Sequence, residues 1–298
     1  MKHLAVLAIA AVAAISSPLA AAGVDAQGNP FLPATAPEGA HVTVKLDVHQ
    51  GSGMMFVKGR VFGEECTLLW DTGCTHTTFD RAFMKRVTGS EGMPVQITGD
   101  TNVSQMPHIY NVDSLTLGEG ENSVTFGPFM ALSVDIGHMV GPVGSKVDGV
   151  LGMNVIGRTM TLMSAARGEV VFNPSMEACG GFGPVLRSLD PDSLLVPVKV
   201  GERAVPMLVD SGSSMSFLKE GLWESCGEEN SFSAVDANGR TSMRQREGVE
   251  GFIDAGVKIP FKPLVVQEDR NYIGSDVLRR CDILLRRGIM AFRPLPRE

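Results

Sequence analysis

Leu68-Leu69-Trp70-Asp71-Thr72-Gly73 and Met207-Leu208-Val209-Asp210-Ser211-Gly212 are the stretches that decide the fold. The second repeats the first 139 residues later: three apolar residues, an aspartate, a small hydroxyl residue and a glycine. Both continue with small polar residues and then an apolar one. The first copy runs Cys74-Thr75-His76-Thr77-Thr78-Phe79, the second Ser213-Ser214-Met215-Ser216-Phe217-Leu218. A lone aspartate–hydroxyl–glycine triplet is weak, since average composition places one by chance in about one chain in ten of this length. Two copies behind matched apolar triplets are an internal duplication, the first thing to look for in a chain.

The duplication continues downstream. Val150-Leu151-Gly152 with Val155-Ile156 matches Tyr272-Ile273-Gly274 with Val277-Leu278, at an offset of 122. Arg167-Gly168-Glu169-Val170-Val171-Phe172-Asn173-Pro174 matches Arg287-Gly288-Ile289-Met290-Ala291-Phe292-Arg293-Pro294, at an offset of 120. The same blocks thus occur twice in one order, with shorter loops in the second copy. Val42, Val44, Leu46 and Val48 alternate with polar residues, and Val196, Val198 and Val200 do the same, a period of two that predicts strands. Residues 57–62 and 65–70 also suit strands. Gly and Asn recur at intervals typical of all-β chains. Short helices are expected at 154–158 and 275–280, each followed by a strand, an Arg-Gly turn and another strand.

The N-terminus reads as a targeting segment. Lys2 precedes an unbroken apolar run over 4–15, and Ala20-Ala21-Ala22 supplies small residues for cleavage. That run is too short to span a bilayer, and no second run is long enough for an anchor. The organisation expected is a signal peptide at 1–22, a mature N-terminal segment at 23–40, lobe 1 at 41–175, a link at 176–193 rich in Gly and Pro, and lobe 2 at 194–298. Twenty-six basic against 33 acidic residues give a formal net charge of −7, which argues against nucleic acid or an anionic membrane as partner. Five cysteines are an odd number, so at least one stays unpaired. Cys226 and Cys281 are expected to pair and Cys74 to be a free thiol. No Cys or His spacing suits a metal, so no metal and no cofactor are expected. The 16 methionines read as core filler.

These residues resemble the pepsin and retropepsin superfamily of aspartic peptidases, over roughly 41–175 and 194–294. Asp71-Thr72-Gly73 and Asp210-Ser211-Gly212 look like its two catalytic loops. Val150-Leu151-Gly152 and Tyr272-Ile273-Gly274 look like the elements behind those loops. The compact second copy is similar to a retropepsin unit, so the chain reads as two such units fused. The resemblance implies an all-β acid-protease fold with two similar barrel-like lobes and a cleft between them. It also implies an exported endopeptidase, periplasmic or secreted, acting on polypeptides as a monomer through Asp71 and Asp210.

The chemistry supports that expectation. Two carboxylates held together cannot both ionise easily, so they share a proton and divide the roles of acid and base. Gly73 and Gly212 let two loops approach without Cβ clashes. Thr72 and Ser211 are placed to hydrogen-bond across the loops, and Gly152 and Gly274 to pack closely behind them. Cys74 stands where Ser213 stands in the other copy; a thiol is a weaker partner than a hydroxyl, so the aspartates are expected to be inequivalent. No flap tyrosine is evident; Tyr110 is a candidate by composition alone. Gly99-Asp100 and Asn238-Gly239 lie at matching distances behind the two aspartates and read as flap hairpins, Asn-Gly being a strong turn signal. Three other readings are weaker. Surface turn aspartates do not follow matched apolar triplets. A thiol protease built on Cys74 and His76 lacks an oxyanion device. A non-catalytic protein- or peptide-binding module that retains the acid-protease fold is the chief alternative, and the presence of both aspartates weighs against it.

Overall fold

The computed structural model describes residues 7–9, 41–95, 106–139, 141, 144, 146–190, 192–236, 239–269 and 271–296. The architecture is all-β and two-lobed, as the resemblance implies. Each lobe is built on a large sheet with the same central order. In lobe 1, Glu64–Trp70, Gly149–Leu151, Thr78–Asp80 and Phe129–Val134 lie side by side. In lobe 2 the corresponding neighbours are Arg203–Val209, Tyr272–Ile273, Phe217–Lys219 and Leu264–Val266. The first pair is parallel in each lobe, with Leu151 beside Trp70 and Ile273 beside Val209. Leu68, Leu69, Trp70 and Val209 are fully buried, the expected fate of strands covered on both faces.

A third sheet joins the lobes. Its order is Leu186–Arg187, Ile289–Pro294, Cys281–Arg286, Thr161–Ser164, Glu169–Phe172 and Val42–Lys45. Its middle is the antiparallel contact between lobes, with Thr161 opposite Leu285 and Ser164 opposite Asp282. Gly168 and Gly288 take positive φ in the two Arg-Gly turns, at 63° and 75°. Asp282 is buried here. Its Oδ2 accepts from Arg167 Nη1 of the other lobe at 3.1 Å and from Arg293 Nη2 at 2.7 Å. Arg293 also donates to the Ala178 and Gly180 carbonyls, fastening the link to lobe 2.

The expected strands form, Val196, Val198 and Val200 facing the core while Pro197 and Lys199 face out. The short helices are Met153–Ile156 and Ser275–Leu278. One helix was not read from the sequence: Arg81–Thr88, capped by the Asp80 carboxylate, which accepts from Phe83 N–H, and ended by Gly89 at φ 68°. The stretch read as a link contributes the strand Leu186–Arg187. Within the N-terminal apolar run, Leu7–Ile9 pairs in parallel with 234–236. All five cysteines are unpaired. The expected Cys226–Cys281 bond is not formed: Cys281 is buried on the joining sheet, whereas Cys226 is exposed on the strand Ser225–Asp236. Tyr110 is buried, and its hydroxyl donates to the Ser90 carbonyl.

Candidate active site

Each aspartate sits one residue beyond its buried strand, and a short hydrogen-bonded series fixes it from behind. Asp71 N–H donates to the Leu151 carbonyl at 3.1 Å. The next amide, Gly152 N–H, donates to Thr77 Oγ1, which donates in turn to Asn154 Oδ1. Lobe 2 repeats this: Asp210 N–H to Ile273, Gly274 N–H to Ser216 Oγ, and Ser216 Oγ to Asp276 Oδ1 at 2.7 Å. Gly152 and Gly274 are required for the close approach, since a Cβ there would lie 2.6 Å from His76 C and 2.3 Å from Met215 O.

The two loops interlock. Thr72 Oγ1 donates to the Val209 carbonyl at 2.7 Å and accepts from Ser211 N–H at 3.1 Å. Ser211 Oγ donates to the Trp70 carbonyl at 2.8 Å and accepts from Thr72 N–H at 3.0 Å. These four buried bonds cross the lobe boundary. Stranding any buried partner would cost about 1–3 kcal/mol, so the crossing holds the carboxyls in one geometry.

Asp71 and Asp210 are 0 % and 1 % exposed. Oδ1 of Asp71 accepts from Gly73 and Cys74 N–H, at 2.8 and 3.1 Å. Oδ1 of Asp210 accepts from Gly212 and Ser213 N–H, at 3.0 and 3.1 Å. Both Oδ2 atoms are buried without a donor. The opposing loops are in contact: a Cβ on Gly73 would lie 2.5 Å from the Asp210 carboxyl carbon, and one on Gly212 equally close to that of Asp71. Burial, and then the Asp210 charge, hold the Asp71 carboxyl well above the usual carboxylate range. Burial raises Asp210 as well, offset by the neighbouring Asp71 carboxyl and by two backbone N–H groups. The arrangement favours one proton held between two carboxyls.

The structure therefore brings together Asp71, Thr72, Gly73, Asp210, Ser211, Gly212, Gly152 and Gly274. Gly99, Asp100 and Asn238 lie outside the described residues. Gly239 begins the strand Gly239–Gly248, which pairs with Ser225–Asp236 as a hairpin, Asp236 opposite Gly239. The reason given for inequivalent aspartates needs correction. Cys74 Sγ donates to the His76 carbonyl, not to Asp71, as Ser213 Oγ donates to the Met215 carbonyl. Burial and the Asp71 charge keep that thiol protonated, which removes the thiol-protease reading.

Sequence reasoning missed Thr77, Asn154, Ser216 and Asp276. Their signal was present: Thr77 and Ser216 are hydroxyl residues at matched positions of the repeat, and Asn154 and Asp276 are polar residues at matched positions beside apolar ones.

An aspartyl protease family model matches residues 57–155 and 196–268, together more than half of the chain, with one aspartate loop in each segment. Among solved structures, the chain is similar to basic 7S globulin from soybean, at 10 % identity and a TM-score of 0.47, over 85 % of this chain and 94 % of that one. Comparison with curated proteins returned no match. On the family match, with both loops inside it, the chain belongs to the aspartyl protease family.

Proposed function

We propose that the protein is an endopeptidase in which Asp71 and Asp210 activate a water to hydrolyse a peptide bond. The observation that carries this reading is the disposition of oxygens: each Oδ1 is occupied by two backbone amides, and each Oδ2 is left without a donor in a pair that faces across the lobe boundary. With one proton on the pair, the ionised carboxyl takes a proton from water as it attacks the carbonyl carbon. The protonated carboxyl gives its proton to the carbonyl oxygen. Collapse of the resulting diol breaks the C–N bond: the leaving nitrogen takes a proton from one carboxyl, a diol hydroxyl gives its proton to the other, and the pair is back in its starting state. One chain carries both carboxyls, so a monomer suffices. The hairpin formed by Ser225–Asp236 and Gly239–Gly248 serves as a flap in this proposal; its Met243 packs with Phe217, Met215 and Tyr272 beside the Asp210 loop. Export, with cleavage after Ala22, rests on the N-terminal pattern and is checked by sequencing the N-terminus of the mature protein.

The test is Asp71→Asn and Asp210→Asn, assayed separately on a denatured protein. Each should lose about 10²–10⁴-fold in kcat, the worth of a general acid or base, while circular dichroism stays unchanged. The wild-type rate should be bell-shaped in pH with an acidic optimum. Either variant retaining most of its activity would sink the mechanism and favour a binding module.

A further inference from the structure

A cavity of about 470 Å³ opens beside the carboxyl pair. One end is formed by Gly73, which touches the Asp210 carboxyl. Its wall is apolar, made by Leu195, Pro206 and Leu208 of the strands leading to Asp210, with Tyr272 alongside. Leu208 pairs with Tyr272 across the sheet, and Phe217 supports the Tyr272 ring at 6.2 Å, so the wall is held by the lobe 2 core. The two charged residues lining the cavity, Asp190 and Asp269, are both carboxylates. Asp269 pairs with Lys219 at 3.4 Å. Asp190 accepts from Asp192 N–H and Ser193 Oγ, both neutral donors, and forms no ion pair among the described residues.

The duplication supplies an internal control. The lobe 1 positions matching Ser193, Leu195, Leu208, Asp269 and Tyr272 are Met54, Phe56, Leu69, Val147 and Val150. All five are buried in one apolar cluster. The same places in the fold therefore carry opposite chemistry: filled and apolar in lobe 1, open and carboxylate-lined in lobe 2.

We propose that the lobe 2 cavity is a side-chain subsite selective for a long basic residue, lysine or arginine, close to the scissile bond of an extended peptide. The aliphatic stem lies along Leu195, Pro206 and Leu208, and the cationic head reaches Asp190, with Asp269 as a second, weaker partner. An aliphatic stem with a charged tip matches such a site better than a purely apolar side chain, because the stem covers the apolar wall while the tip stays with the half-buried Asp190 at its end. With the lobe 1 counterpart filled, a basic residue is directed to the lobe 2 side, which fixes the register of the peptide.

This inference rests on the proposed peptidase reading, and the experiment separates the two. Wild type is given a peptide library, then a peptide pair differing only in lysine against norleucine at the selected position. The same pair is titrated by calorimetry against the Asp71→Asn/Asp210→Asn double variant, which binds without turnover. The expected result is basic residues enriched at one position, with the lysine-to-norleucine ratio of kcat/KM and of affinity falling about tenfold in Asp190→Asn, the worth of a hydrogen bond to a charged group. That variant keeps the shape and the Ser193 bond. Asp269→Asn should reduce the ratio less. Cleavage with no basic preference, or a ratio unmoved by Asp190→Asn, overturns the subsite and leaves the hydrolysis standing. No cleavage, with lysine still preferred in the binding arm through Asp190, overturns the hydrolysis and leaves the subsite standing.

Discussion

The two lobes hold their aspartates by the same series of hydrogen bonds, and differ at its far end. In lobe 1 the last residue is Asn154, an amide, whose Nδ2 donates onward to the Met130 carbonyl. In lobe 2 it is Asp276, a carboxyl that burial raises to about 6 against the stabilising bond from Ser216. A neutral terminus does the same job at every pH. An ionisable one does it at a cost that depends on pH. The comparison separates what the fold needs, a hydroxyl acceptor behind each glycine, from what it tolerates, a charge beyond that hydroxyl. The arginines near Asp276, Arg279 and Arg280, draw it back towards ionisation without cancelling its burial.

The sharpest way to break the symmetry between the lobes lies at the carboxyls. Gly73→Ala and Gly212→Ala each put a methyl about where the opposite carboxyl stands. Both should lower kcat about 10³-fold, near the loss of an acid or base. A large loss in only one would show that the loops do not contribute equally. Next come the crossing hydroxyls. Thr72→Val and Ser211→Ala should each destabilise by about 3 kcal/mol through stranded buried partners, read as matching shifts in denaturant midpoint. Unequal shifts would assign the joint to one lobe.

A swap at the ends of the series gives the next effect. Asp276 has a folded pKa raised from 3.8 to about 6. Its contribution to stability is therefore full below about pH 4 and is lost as pH rises through 6. Asp276→Asn should stabilise the protein by about 3 kcal/mol at pH 7 and by almost nothing at pH 4. Asn154→Asp should do the reverse in lobe 1. Thermal midpoints measured across that range decide it, and a pH-independent change would mean that Asp276 is ionised throughout. The smallest effect belongs to the joining sheet. Arg293 makes two bonds to Asp282 and two to the link, Arg167 one to Asp282. Arg293→Met should cost more than Arg167→Met, by about 1 kcal/mol; the opposite order would place the anchor on the lobe 1 side.

Much of this was legible because the chain states it twice. A duplicated motif reports which residues must stay fixed, and those that did so are the glycines where a Cβ would collide: Gly73 and Gly212 with the opposite carboxyl, Gly152 and Gly274 with backbone. The alternating valines gave strands because one face of each is buried. The helix Arg81–Thr88 was missed although Asp80 and Gly89 mark its ends, because it interrupts strands in only one copy. The cavity was missed for the opposite reason. Its chemistry lies in residues that break the repeat, such as Asp269 against Val147, and in Asp190 from the link. Cys226 and Cys281 were misread because lying in the same lobe does not put two thiols on the same sheet.

The joining sheet has a further consequence. Its central contact, Thr161–Ser164 against Leu285–Asp282, is made between segments far apart in the chain, and the Arg167–Asp282 bridge lies on the same line. The covalent connection through 174–177 adds nothing to that contact beyond tethering. Cleaved there, the protein should persist as a non-covalent heterodimer of two fragments that can be expressed apart and reconstituted, each bringing one aspartate. The single chain is then a tethered assembly. The tether spares it the concentration dependence of two partners, and it leaves each half free to acquire substitutions, such as those at Asp190 and Asp276, that two identical subunits could not hold separately.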